Sequence, residues 1–143
     1  MAFLFFWLSI ILLISIGLLH VYWAIGGELL GDYVLPEYKY NLKPQFFNKK
    51  PGPLMCLLVA SAFFILTFLE IIYHSHIVNT NFISILLMLA CFVFTARIIG
   101  EFNCLGIFKR EKDTLFAKMD NRIYIPICVY LLISLIIQLT VIK

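Results

Sequence analysis

Four uninterrupted apolar runs, Phe3 to Ile25, Leu54 to Tyr73, Phe82 to Gly100 and Tyr124 to Ile142, take up most of this 143-residue chain. Each is close to the roughly 20 residues that an α-helix needs to cross the hydrocarbon core of a bilayer. A water-soluble domain could not bury so many such runs in so short a chain and would expose large sticky patches. Lipid as the solvent removes that conflict. The composition agrees: 63% of residues are apolar and 13% charged, against about half and a quarter in soluble domains. The expected architecture is therefore all-α, one membrane domain over residues 1–143, built as a polytopic bundle of four transmembrane helices.

The ends of the runs carry their own signals. Trp7 and Trp23 stand sixteen positions apart, about 24 Å along a helix, a spacing suited to two interfacial aromatic belts. The first run has no Lys or Arg before it and is too long for the apolar segment of a signal peptide, so it reads as a retained helix. Pro51-Gly52-Pro53 announces the second helix and Pro126 falls in the first turn of the fourth, where proline's missing N–H is harmless. The short link His74 to Asn81 makes helices two and three an antiparallel hairpin.

Nearly all the charge lies in two loops, residues 26–53 and 101–123. The first holds Lys39, Lys43, Lys49 and Lys50, and the second Lys109, Arg110, Lys112, Lys118 and Arg122. The link between helices two and three has neither Lys nor Arg, and the C-terminus has only Lys143. The positive-inside rule then places both long loops in the cytoplasm and both termini outside, as a multi-pass protein of an inner or plasma membrane. The loops mix both signs and carry no nucleic-acid motif. Membrane lipids, a protein partner or a second copy of the chain are the expected partners, and no nucleic acid.

A faint internal repeat runs through the chain. Ile25-Gly26-Gly27-Glu28 resembles Ile99-Gly100-Glu101, each followed by a Leu-Gly pair (Leu30-Gly31, Leu105-Gly106). Phe47-Asn48-Lys49 matches Phe116-Ala117-Lys118, and Pro53-Leu54-Met55-Cys56 echoes Pro126-Ile127-Cys128. Two helix–loop–helix units in the same orientation would be related by an axis along the membrane normal.

Polar residues within or beside the runs are the candidates for chemistry. His20, Trp23 and Gly27 share one helical face at the end of the first helix. A histidine there faces the bundle interior, because lipid cannot satisfy its ring nitrogens. It is either bonded to a backbone carbonyl or carboxylate, or it is a proton carrier or ligand contact. His20 is the one candidate catalytic residue. Arg97 lies one turn before the end of the third helix. It is an interfacial anchor, the i, i+4 partner of Glu101, or a guanidinium gripping a lipid phosphate or Asp120. Asp120 reads as a cap for the fourth helix or as that partner. Topology gathers His20, Tyr22, Trp23, Glu28, Arg97, Glu101 and Asp120 at one membrane face as a candidate binding site.

At the other face Glu70 and His74 are one turn apart, and Glu70 is expected to be solvated or paired with His74. His76 lies nearby, but no third strong ligand does, so no metal is expected there. The four cysteines, Cys56, Cys91, Cys104 and Cys128, form no C-x-x-C pair and read as small buried hydrophobes. No phosphate loop, nucleophile elbow or haem-attachment motif is present, and no cofactor is expected.

The segments His20-Val21-Tyr22-Trp23-Ala24-Ile25-Gly26-Gly27, Arg97-Ile98-Ile99-Gly100-Glu101-Phe102 with Gly106, Phe116-Ala117 with Asp120, and Tyr124-Ile125-Pro126-Ile127-Cys128 together resemble a family of small, mostly bacterial, four-helix membrane proteins of unknown function. The family often has Pro-Leu-Cys where this chain has Pro126-Ile127-Cys128. The resemblance implies a four-helix membrane protein and brings no activity with it. Three readings of function follow from the residues. The first is a non-enzymatic protein binding a lipid-like ligand or a partner through the cytoplasmic-face cluster, with Arg97 as the anion contact. The second is an intramembrane enzyme on a lipid-like substrate, with His20 as acid and base. The third is a transporter or channel subunit.

Overall fold

A computed structural model describes residues 2–29, 52–75, 80–102, 105–110 and 112–141. Lys39, Lys43, Lys49, Lys50, His76 and Cys104 lie outside the described residues, as do Leu30-Gly31, Phe47-Asn48-Lys49 and Pro51 of the repeat. The described residues contain only helices and their connections. Helix α1 is Ala2–Ala24, α2 Pro53–Ser75, α3 Thr80–Ile99, α4 Leu115–Met119 and α5 Ile125–Val141. A single π-helical turn, Asp120–Tyr124, joins α4 to α5 without a break.

Four spans are long and apolar enough to cross a membrane: Phe3–Ala24, Pro53–Ser75, Asn81–Ile99 and Leu115–Val141. The chain is thus a multi-pass membrane protein. Helix α1 packs on α2, α2 on α3, α3 on α5 and α5 on α1, an up-down ring of four. Leu13, Leu66, Leu87, Leu131 and Leu135 fill its axis. Only 17–28% of each span is buried, so most apolar side chains face outward, where lipid is their solvent.

The helix ends follow from their residues. Gly26 takes φ +91°, which an L side chain adopts only with strain. Gly27 N–H then donates to the Tyr22 carbonyl (2.9 Å) and Gly26 N–H to that of Trp23 (3.1 Å), the two bonds of a Schellman stop. Gly100 ends α3 in the same left-handed way (φ +81°), with its N–H on the Ala96 carbonyl (2.8 Å). The two glycines that the repeat aligns therefore do the same job. Helix α2 opens with Gly52 as cap and Pro53 as first residue: the Gly52 carbonyl accepts from the N–H groups of Met55 and Cys56.

The fourth span differs from expectation. It begins at Leu115, not near Tyr124, so the preceding loop is shorter than residues 101–123. Thr114 caps it, its Oγ1 accepting the Ala117 N–H (3.1 Å). The π turn sits just before Pro126, and Ile125 N–H reaches back five residues to the Asp120 carbonyl. Proline at 126 has no N–H for the Arg122 carbonyl and its ring crowds it. A one-turn π widening is a recognised way to seat such a break inside a continuous helix.

Candidate functional site

Asp120 is the centre of the polar cluster at the end of the bundle where α1 and α3 finish. It is the first residue of the π turn and is fully buried. Its face of the helix also carries Phe116 and Ala117, both buried, while Lys118 and Arg122 point out. Asp120 is thus an inward residue inside a continuous span. The capping role expected of it at the start of the fourth helix belongs to Thr114.

Three donors converge on its carboxylate. Arg97 Nη2 reaches Oδ1 at 2.6 Å and Lys109 Nζ reaches Oδ2 at 2.6 Å. Gly106 N–H donates to Oδ2 at 3.0 Å. Lys109 is buried, unlike its neighbours Arg110 and Lys112, which are exposed. The sequence counts it only among the loop cations; the structure makes it half of a buried ion pair. The loop that delivers it folds back on α3. Ile107 N–H donates to the Ile98 carbonyl (2.9 Å). Gly100 and Gly106 cross backbone to backbone, so that a Cβ on Gly100 would fall on the Leu105 carbonyl. Both glycines are needed for that crossing, which places Gly106 N–H and Lys109 over Asp120.

The trio carries two positive charges and one negative. Arg97 keeps 29% of its side chain exposed, but its Nη1 is buried and has no hydrogen-bond partner. A guanidinium with one nitrogen committed and one spare can accept a second anion, with fork geometry suited to phosphate or carboxylate. The helix stops at Ile99, before Glu101, and Arg97 pairs with Asp120.

The first-helix candidates form a separate group at the same end. His20 Nδ1 faces the Ile16 carbonyl at 2.8 Å, and its ring packs edge-on against Trp23 and tilted against Phe63. Trp23 Nε1 donates to the Leu29 carbonyl (2.8 Å). The Tyr22 ring lies over Gly27, where any Cβ would collide with it. Glu28 is exposed and Glu101 half-buried. The structure therefore brings Arg97 and Asp120 together, adds Lys109 and Gly106, and holds His20 and Trp23 on their own segment.

At the opposite end Glu70 is neither solvated nor paired with His74. It is fully buried. Its Oε2 lies 2.7 Å from Ser9 Oγ on α1, whose single proton the Phe6 carbonyl at 2.8 Å also competes for, and accepts from Gln138 Nε2 on α5 (3.1 Å). Gln138 Nε2 also reaches Ser134 Oγ (3.3 Å), whose hydroxyl donates to the Phe5 carbonyl (3.1 Å). The His74 ring instead stacks on Phe6, centroids 4.2 Å apart. Ser9, Ser134 and Gln138 were not singled out from the sequence. Their readable signal was position: each is a strong polar group on a stretch otherwise apolar, with Ser134 and Gln138 one turn apart.

Comparison with known proteins adds no chemistry. No curated protein and no solved structure matches the chain. One family model does, over residues 13–135, from the middle of α1 to the middle of α5. On that match the chain belongs to the family described as "Protein of unknown function (DUF3995)".

Proposed function

We propose that the protein binds an anionic lipid-like ligand, one bearing a phosphate or carboxylate head group, through Arg97 at the loop end of the bundle. The supporting observation is the spare, buried Nη1 of Arg97 beside a cluster whose charges sum to +1. Asp120 and Lys109 hold the guanidinium in place; Arg97 makes the contact. Exposed Arg110, Lys112, Lys118 and Arg122 surround this end and favour anionic head groups. The same cations support a cytoplasmic orientation for both long loops, with the termini outside, in an inner or plasma membrane. The enzymatic reading is weaker, since the Nδ1 of His20 is engaged by its own helix.

Native mass spectrometry of the full chain released from mild detergent tests this. Wild type is expected to retain a discrete anionic lipid that Arg97→Gln loses while still folded, and that His20→Ala keeps. Equal retention by wild type and Arg97→Gln overturns the proposal. So does a wild-type protein that carries no lipid after titration with phosphatidylglycerol and cardiolipin.

A further inference from the structure

Glu70 lies five residues from the end of α2, about 7.5 Å inside the span. Among the described residues no cation is held against it. Arg97 and Lys109 serve Asp120 at the other end. The titratable groups that face Glu70 are His74 on its own helix, Tyr130 on α5 and Cys91 on α3. Tyr130 OH donates to the Phe5 carbonyl; the His74 ring is stacked on Phe6, its buried Nδ1 without a hydrogen-bond partner. An ionisable side chain set at this depth, hydrogen-bonded only to neutral groups, marks a functional site by default.

The oxygens around it are incompletely used. Glu70 Oε1 and Gln138 Oε1 are both buried with no hydrogen-bond partner, and both residues are fully buried. An orphaned acceptor in such surroundings is destabilising, and here two occur in one cluster. With Glu70 ionised, no rotation of the Gln138 amide removes the deficit. Turning it by half a turn would set its Oε1 against Glu70 Oε2 and Ser134 Oγ, replacing two orphaned oxygens by an oxygen pair with no proton between them. What an ionised Glu70 in this arrangement lacks is a positive centre. The donor set is a carboxylate, an amide oxygen and two hydroxyls drawn from three helices, all hard oxygen ligands. A single carboxylate neutralises one positive charge; a divalent ion would leave a net charge buried in the bundle.

We infer that Glu70, Gln138, Ser9 and Ser134 form an intramembrane binding site for a small hard monovalent cation of the Na+ class. The cation joins α1, α2 and α5 across the axis, because Glu70 and Gln138 stand on helices that are not neighbours in the ring. Binding stabilises the folded bundle, since the unfolded chain cannot assemble the three helices around the ion.

The test uses the full chain in mild detergent, with sodium chloride exchanged for choline chloride at constant ionic strength and pH. At a Na+ concentration ten times Kd, the folded-to-unfolded ratio rises about tenfold, read as a rise in Tm. Infrared difference spectra of the same exchange show a change in the carboxyl bands. Both effects are lost in Glu70→Gln and weakened in Ser9→Ala, and both persist in Arg97→Gln, which separates this site from the head-group site. Wild type indifferent to Na+ overturns the inference even if a variant fails to fold. The same Na+ response in Glu70→Gln overturns it too, as does a carboxyl band that follows pH and ignores Na+.

Discussion

The two ends of the bundle each bury a carboxylate, and they treat it in opposite ways. Asp120 meets two cations and a backbone N–H, so its charge is more than balanced. Glu70 meets a hydroxyl and an amide, both neutral, and one of its oxygens meets nothing. The surplus at Asp120 is one positive charge shared by Arg97, still 29% exposed, and the buried Lys109. The deficit at Glu70 is a missing positive charge, sealed among helices. One bundle thus presents complementary needs at its two faces, and the burial of each carboxylate fixes how strongly a substitution there is felt.

The largest effect is expected at Asp120. Asp120→Asn leaves Lys109 buried without a counter-charge, and breaking such a pair costs about 3–5 kcal/mol. Denaturant unfolding in detergent should show that loss. Adding Lys109→Met to Asp120→Asn should restore part of it by removing the stranded ammonium. A double variant as unstable as the single one would mean that Lys109 is not buried as described. Next comes the glycine crossing that carries Lys109 to its partner. Gly100→Ala places a Cβ on the Leu105 carbonyl at φ +81°, whereas Gly26→Ala at φ +91° meets nothing within 4 Å. Left-handed backbone costs about 1–2 kcal/mol in either case. The collision is extra at Gly100, so Gly100→Ala should unfold at clearly lower denaturant than Gly26→Ala. Equal loss would show that the crossing does not hold the loop.

Much of this was legible beforehand, for local reasons. Apolar length dictated the four spans, and Pro53 marked a helix start. Arg97 and Asp120 were readable as one pairing among others, because topology put both at one face. The helix over 115–124 was not legible. Lys118, Asp120 and Arg122 break its hydropathy, and a charged stretch reads as loop unless its faces are separated; only Phe116, Ala117 and Asp120 turn inward. The Glu70 network was hidden by distance. Gln138 is 68 positions from Glu70, and no local pattern links helices that meet only through long side chains across the axis.

Thr114 offers a finer measure of the Asp120 end. Its hydroxyl is the cap that lets the span begin before Asp120. Thr114→Val keeps the shape and removes the acceptor, at about 1 kcal/mol. Hydrogen exchange should then quicken at Ala117 and spare α2. Protection unchanged at Ala117 would mean that the apolar face of Phe116 alone holds the turn.

The smallest effect is expected where the buried group looks most consequential. Glu70→Gln keeps the size of the side chain and removes its negative charge. In choline buffer nothing on the described residues is lost with that charge, because no Lys or Arg among them opposes it. The amide can still accept from Ser9 and Gln138, so stability should stay within about 1 kcal/mol of wild type, the range of one neutral hydrogen bond. A loss as large as that of Asp120→Asn would show that Glu70 is balanced by a charge of the protein itself, and the contrast between the two ends would fail. A near-zero change in choline that opens into a clear deficit against wild type in sodium would sharpen the contrast, locating the missing charge in the solvent ion rather than in the chain.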